Sequence, residues 1–137
     1  VVISGFYRLP AQFTTGGVFT AASGRPFNIT TGVDNNGDGT NNDRPVINGK
    51  VLGRNAGEGD AVYDITLFVE KGFDISQGMI LFLRAEGYNL TNHANVVGYN
   101  SVFGNGATPL PTFGVPLGGV ANVEPGRQFQ FQVRLDF

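Results

Sequence analysis

Apolar and polar residues alternate with a period of two over much of this chain. The clearest run is Gln128–Phe137, QFQFQVRLDF. Phe129, Phe131, Val133, Leu135 and Phe137 fall on one face, and Gln128, Gln130, Gln132, Arg134 and Asp136 on the other. That period marks a strand, because successive side chains point to opposite sides of a pleated backbone. Residues 61–75 repeat it, with Tyr63, Ile65, Leu67, Val69 and Phe73 opposite Asp64, Thr66, Glu70 and Asp74. Phe68 interrupts the polar face and Lys71 the apolar one; a lysine stem can lie on an apolar surface while its charge reaches the edge. Residues 79–90 form a third strand, with Met79, Leu81, Leu83, Ala85 and Gly87 opposite Arg84 and Glu86. Ser76-Gln77-Gly78 is a short turn that joins the two strands into a hairpin. Val1–Leu9 is a strand candidate stopped by Pro10. Residues 13–31 hold another around Gly17–Thr20 and a weaker one around Pro26–Thr30, since proline cannot donate to a central ladder. No window carries helical apolar spacing free of Gly and Pro.

The connections are unequal. Residues 32–60 are rich in Asn, Asp and Gly, and residues 96–124 in Gly, Pro and Asn. Connections run short (10–12), long, short (76–78), long. In an up-and-down meander alternate connections share an end, so both short turns and the C-terminus fall at one end and both long loops at the other. Short turns opposed to long loops are the asymmetry of outer-membrane barrels, and a tilted strand crosses the bilayer in about 9–11 residues. Tyr7, Phe13, Phe73 and Phe137 then fall near the short-turn end, and Tyr63 and Phe27 near the long-loop end, as interfacial girdles would. The pattern predicts an all-β chain: an antiparallel up-and-down meander of about five strands, forming part of a transmembrane β-barrel and incomplete alone, since barrels begin at about eight strands. In lipid an open sheet edge would leave backbone groups unsatisfied at several kcal/mol each. A start at Val1-Val2-Ile3, without Met or signal peptide, fits a piece of something longer.

Composition narrows the chemistry. The chain has 137 residues, a length suited to one domain, with Gly 21, Pro 7, Asn 13 and only 15% charged residues. At 41% hydrophobic it is not a disordered tail. The absence of Cys excludes disulfides and a thiolate zinc site. A net charge of −2 with dispersed basic residues argues against nucleic acid. Arg84 and Glu86 share a face; in a barrel they face the lumen, because a lipid-facing Arg near the midplane costs about 2–4 kcal/mol. Asp34, Asn36 and Asp38 stand at positions 1, 3 and 5 of a calcium-like loop, with Gly39 at the turn, Thr40 offering a carbonyl and Asp43 a further carboxylate. Such Asn/Gly/Asp clusters are also ordinary turn chemistry. Gly104, Gly106, Gly114, Gly118 and Gly119 lack a following Lys-Ser/Thr, so they mark a flexible loop and not a phosphate cradle. The sole His, His93, sits among Asn89, Asn92 and Asn95 with no nucleophile in recognisable spacing, and no enzyme is expected.

Three segments in order carry a resemblance: Ser23-Gly24-Arg25-Pro26-Phe27-Asn28-Ile29-Thr30-Thr31-Gly32 with Asn42-Asp43-Arg44-Pro45; Leu83–Asn95 (LRAEGYNLTNHAN); and Pro125-Gly126-Arg127-Gln128 leading to Phe137. Together they resemble the C-terminal barrel portion of an Oar-like TonB-dependent outer-membrane receptor. The family usually has an aromatic where Thr91 stands and a bulky residue at Gly87. The resemblance implies a 22-stranded barrel with an N-terminal plug, working in the bacterial outer membrane with its C-terminus periplasmic and its long loops extracellular. It implies uptake of a large ligand energised by the TonB system through N-terminal parts not in this sequence. It also makes Phe129, Phe131, Val133, Leu135 and Phe137 an assembly signal read by the barrel assembly machinery. Lipid, the rest of the barrel and the plug would be the other partners. An alternative of another class is a soluble extracellular β-sandwich binding calcium or glycans through the Asp34–Asp43 loop, Tyr99 and Phe103. A sandwich buries Phe129, Phe131, Val133 and Leu135; a barrel wall exposes them.

Overall fold

The structure, a computed structural model, describes residues 1–118 and 123–137. It is all-β, with no helix among the described residues. In chain order the strands are β1 (Val2–Leu9), β2 (Phe13–Ala22), β3 (Pro26–Phe27), β4 (Val46–Ile47), β5 (Lys50–Val51), β6 (Gly57–Glu58), β7 (Val62–Ser76), β8 (Met79–Tyr88) and β9 (Gln128–Asp136). The long strands build one five-stranded antiparallel sheet in the order β1-β2-β7-β8-β9. Each long strand therefore pairs with the next long strand in the sequence, as in a meander. The sheet is open, with β1 and β9 as its edges.

The chain divides into two compact units, and the first is this sheet with its turns: Val1–Ala22, Val62–Ala94 and Pro125–Phe137. Its register keeps the alternation in phase across all strands. Phe19 lies opposite Ile65, Leu67 opposite Gly87, and Gly87 opposite Phe129. On the other face Glu70 lies opposite Arg84, and Arg84 opposite Gln132. The short turns are tight. Leu9 pairs with Phe13 across Pro10, Ala11 and Gln12, where Ala11 and Gln12 have φ of 58° and 59°. Ser76 pairs with Met79 across Gln77 and Gly78, whose φ is 77°. A register shift between Asp74 and Ser76 confines a bulge to that turn. Ala22 pairs with Val62, and Tyr88 with Gln128, so the chain leaves and rejoins the sheet at the end opposite these turns. Tyr7, Phe13 and Phe73 lie towards the short-turn end and Tyr63 towards the other.

The second unit is Ser23–Ala61 with Asn95–Glu124. Here the structure departs from the sequence reading, which left 32–60 and 96–124 as irregular loops and the second as flexible. The two segments of this unit interlock. Thr30 N–H donates to the Ser101 carbonyl (3.0 Å) and Phe103 N–H to the Thr30 carbonyl (2.8 Å), forming a parallel bridge between Thr30 and Val102. The side-chain amides of Asn35 and Asn105 exchange two hydrogen bonds, 3.1 and 3.2 Å. Phe27 stacks on Tyr99 at 5.8 Å and Phe103 meets Phe113 edge-on at 5.3 Å. Ile29 (8% exposed) and Phe103 (7%) are the buried large apolar side chains among the described residues. Periodicity along one segment cannot reveal a partner seventy residues away. Gly104, expected in a flexible loop, is buried with φ 99° against Leu110; Gly119 lies outside the described residues.

Gly24 marks the closest approach in this unit. A Cβ there would stand 1.7 Å from the Gly59 carbonyl oxygen, next to the Gly59 N–H bond to the Arg25 carbonyl (3.1 Å). Backbone atoms cannot yield as a side chain would. Gly24→Ala is expected to destabilise the unit by about 1–3 kcal/mol and to speed hydrogen exchange at the Gly59 amide. Unchanged exchange would contradict this packing.

Candidate functional site

The sheet presents two chemically distinct faces. On one, Ile3, Tyr7, Phe19, Leu67, Leu83 and the β9 row of Phe129, Phe131, Val133 and Leu135 point outward. Phe129 is 65% and Phe131 80% exposed, and Phe137 beyond them is also exposed. Large exposed apolar patches are rare on soluble monomers and mark interaction surfaces. Gly87 lies in this face because Leu90 covers it: an added Cβ would meet Leu90 Cδ2 at 2.5 Å. The remaining polar side chains of the face are bonded. Thr15 Oγ1 donates to the Phe68 carbonyl at 2.9 Å. Lys71 runs along the face to the short turn, where Nζ donates to the Ala11 carbonyl and lies 4.6 Å from the Phe13 ring centre and 5.4 Å from that of Phe73.

The opposite face holds Arg84 and Glu86, as the alternation predicts. Arg84 Nε donates to Glu86 Oε1 (2.8 Å) and the Tyr88 hydroxyl to Glu86 Oε2 (2.8 Å). Arg84 also lies 3.9 Å from Glu70 across the ladder. Phe68, which interrupts the polar pattern, lies beneath the Arg84 guanidinium, 3.9 Å from carbon to ring centre. Arg134 covers Phe82 in the same way at 4.3 Å. A ring face attracts a cation through its quadrupole, so these aromatics belong to the charged network. Gly16 leaves the room for it: a Cβ there would stand 2.7 Å from both Phe6 Cβ and Phe68 Cε1.

Sequence reasoning placed Asn89 in a strand-end turn and missed its burial, at 3% exposure. With φ 46° it ends β8, a conformation open to Asn more than to most residues. Its Nδ2 donates to the carbonyls of His93 (2.9 Å) and Pro125 (3.1 Å), and its Oδ1 accepts from the His93 amide (3.0 Å). Asn92 Oδ1 accepts from the Arg127 amide at 3.0 Å. The second and third segments of the resemblance thus meet in space, and the turn after β8 fixes where β9 begins. An Asn spaced three before another in a strand-ending turn was the available signal. His93 packs edge-on against Tyr63 at 5.4 Å.

The 34–43 loop closes on itself. Asp34 accepts the amides of Gly37 (2.7 Å) and Asp38 (3.2 Å) at Oδ1 and of Gly39 (2.8 Å) at Oδ2. Asp43 Oδ2 accepts those of Asn35 (2.6 Å) and Asn36 (3.0 Å), Asn36 Oδ1 that of Asp38 (2.9 Å), and Asp38 Oδ1 that of Thr40 (2.8 Å). No group of three or more His, Cys, Asp or Glu among the described residues gathers around a metal-sized point. Asp34, Asn36, Asp38 and Asp43 thus each turn a side-chain oxygen to backbone amides of the loop, and Thr40 takes part through its amide. The calcium-like spacing and the turn chemistry share the same residues.

No family model, no curated protein and no solved structure matches the chain.

Amide donation, led by Gly39 for Asp34 and by Thr40 for Asp38, holds both carboxyls below the usual aspartate value of 3.8. A depressed folded-state value means the stabilisation is fully present above 3.8 and is lost as pH falls through the lower folded values. Carboxyl carbon NMR titration is expected to give midpoints for both below 3.8, and Asp34→Asn to raise amide exchange at Gly37 and Gly39 at neutral pH. Midpoints at or above 3.8 would contradict the turn geometry.

Proposed function

We propose that this chain is a wall segment of an outer-membrane β-barrel receptor or transporter, of the TonB-dependent type that its motifs resemble. The observation that carries this is the exposed, contiguous apolar face formed by five in-phase strands, backed by a polar face with a bonded ion network. Four of the strands are 8 to 10 residues long, close to the roughly 9–11 that a tilted strand needs to cross the bilayer. In this reading Leu83 and Phe131 face acyl chains, and Arg84 and Glu86 face the lumen. The open edges pair with other strands of the same barrel, which satisfies their backbone groups. Phe129, Phe131, Val133, Leu135 and Phe137 serve as the assembly signal. An alternating strand with an unpaired edge suits recognition by strand addition, with side-chain pockets reading alternate residues. The compact unit of 23–61 and 95–124 is the extracellular part, and ligand uptake draws on the TonB system through other parts of the receptor. Exposure of Phe129, Phe131 and Val133 counts against the sandwich alternative, which needs them buried.

The chain has no Cys, so single cysteines report position cleanly. Bimane placed at Phe131→Cys or Leu83→Cys, in the protein in its native outer membrane, is expected to be quenched by nitroxide lipid and spared by aqueous iodide. At Gln130→Cys the order reverses. Iodide quenching at all three positions, or quenching by neither agent at the apolar pair, rejects the barrel wall.

A further inference from the structure

A cavity of about 420 Å³ opens within the second unit, lined by Asn28, Thr30, Asn42, Arg44 and Arg54. Every lining side chain carries a hydrogen-bond donor, and none is a carboxylate. Neither guanidinium has a hydrogen bond, ion pair or ring contact among the described residues. The nearest acid in the sequence, Asp43, turns its Oδ2 to the amides of Asn35 and Asn36. Asn28 uses its Oδ1 to accept the Asn55 amide at 2.8 Å, which leaves its Nδ2 as a free donor on a fixed side chain. The floor is held in place, since Thr30 is bonded on both sides of its backbone to the 101–103 segment.

Two uncompensated guanidiniums at one concavity repel each other and gain from an anion placed between them. A carboxylate is satisfied by a single guanidinium fork. Two forks with two amides and a hydroxyl match a group bearing three or four oxygens, and planar forks bind phosphate in a bidentate manner. The cavity exceeds one phosphate ion and lies within the range of about 300–1,000 Å³ usual for small-ligand pockets. We infer that this cavity binds the phosphate group of a phosphorylated small molecule or headgroup, with Arg44 and Arg54 as paired clamps and Asn28, Thr30 and Asn42 as neutral donors. This inference stands on the second unit alone and does not depend on what covers the sheet.

The test is a titration of the full chain in detergent at constant chloride-balanced ionic strength, read by NMR at the Arg Nε–H and Asn side-chain signals. One arm uses inorganic phosphate. The other uses phosphatidylcholine bicelles with and without phosphatidic acid. Saturating shifts at Arg44, Arg54 and Asn28 are expected; the arm in which they appear distinguishes a soluble phosphate from a lipid-borne one. Arg44→Gln and Arg54→Gln are each expected to weaken binding about tenfold, the equivalent of one charge-assisted hydrogen bond. Arg54→Lys keeps the charge without the fork and falls between. Both arginines are exposed, so the Asn55 amide signal should remain unchanged in the variants and serves as the folding control. No saturating shift in either arm overturns the inference. So does saturation that survives both glutamine substitutions.

Discussion

Register is the constraint on which the rest of this molecule depends. A strand slipped by one residue moves its whole apolar set to the opposite face, and here four ladders must agree for one face to be continuous. They do agree from Ile3 across to Phe129. The bulge that could break the phase sits beyond Asp74, outside the rows shared by all strands. The tight turns at 10–12 and 77–78 fix two of those registers, and the Asn89–Pro125 bond helps to fix a third by setting where β9 starts. An apolar face, an ion network on its reverse and a defined outer edge all follow from that agreement.

Phe68 and Lys71, two of the residues that violate the alternation, show how the pattern tolerates exceptions. Phe68 on the polar side lies beneath Arg84, where its ring takes the place of a polar partner. Lys71 on the apolar side has its ammonium at the turn carbonyl of Ala11, within reach of the Phe13 and Phe73 rings. In both cases the exception lies within reach of the opposite chemistry. Neither position needs a shifted register to be accommodated.

The sheet was legible in the sequence because its information is local and periodic. Strand limits at 62–76, 79–88 and 128–136 fall within a residue or two of the alternating runs, and the Arg84–Glu86 contact follows from their two-residue spacing on one face. The second unit was not legible. Its order comes from pairings such as Thr30 with Val102 and Asn35 with Asn105, between segments that share no period. The cavity with Arg44 and Arg54 was hidden for the same reason: residues ten apart in an irregular stretch reveal a common concavity only once the backbone is placed. Asn89 looked like part of a polar turn, and its burial depends on Pro125, thirty-six residues later.

The split construction of the second unit has a consequence for the order of events during synthesis. Its first half, 23–61, emerges before β7 and β8, and its second half only after both. The contacts that close it span 70 residues, and such non-local contacts form slowly because a long loop must be closed before they form. The unit can therefore close only after the segment that carries β7 and β8 has been synthesised. Until residues 95–124 have been made, Thr30 and Asn35 lack their Ser101 and Asn105 partners.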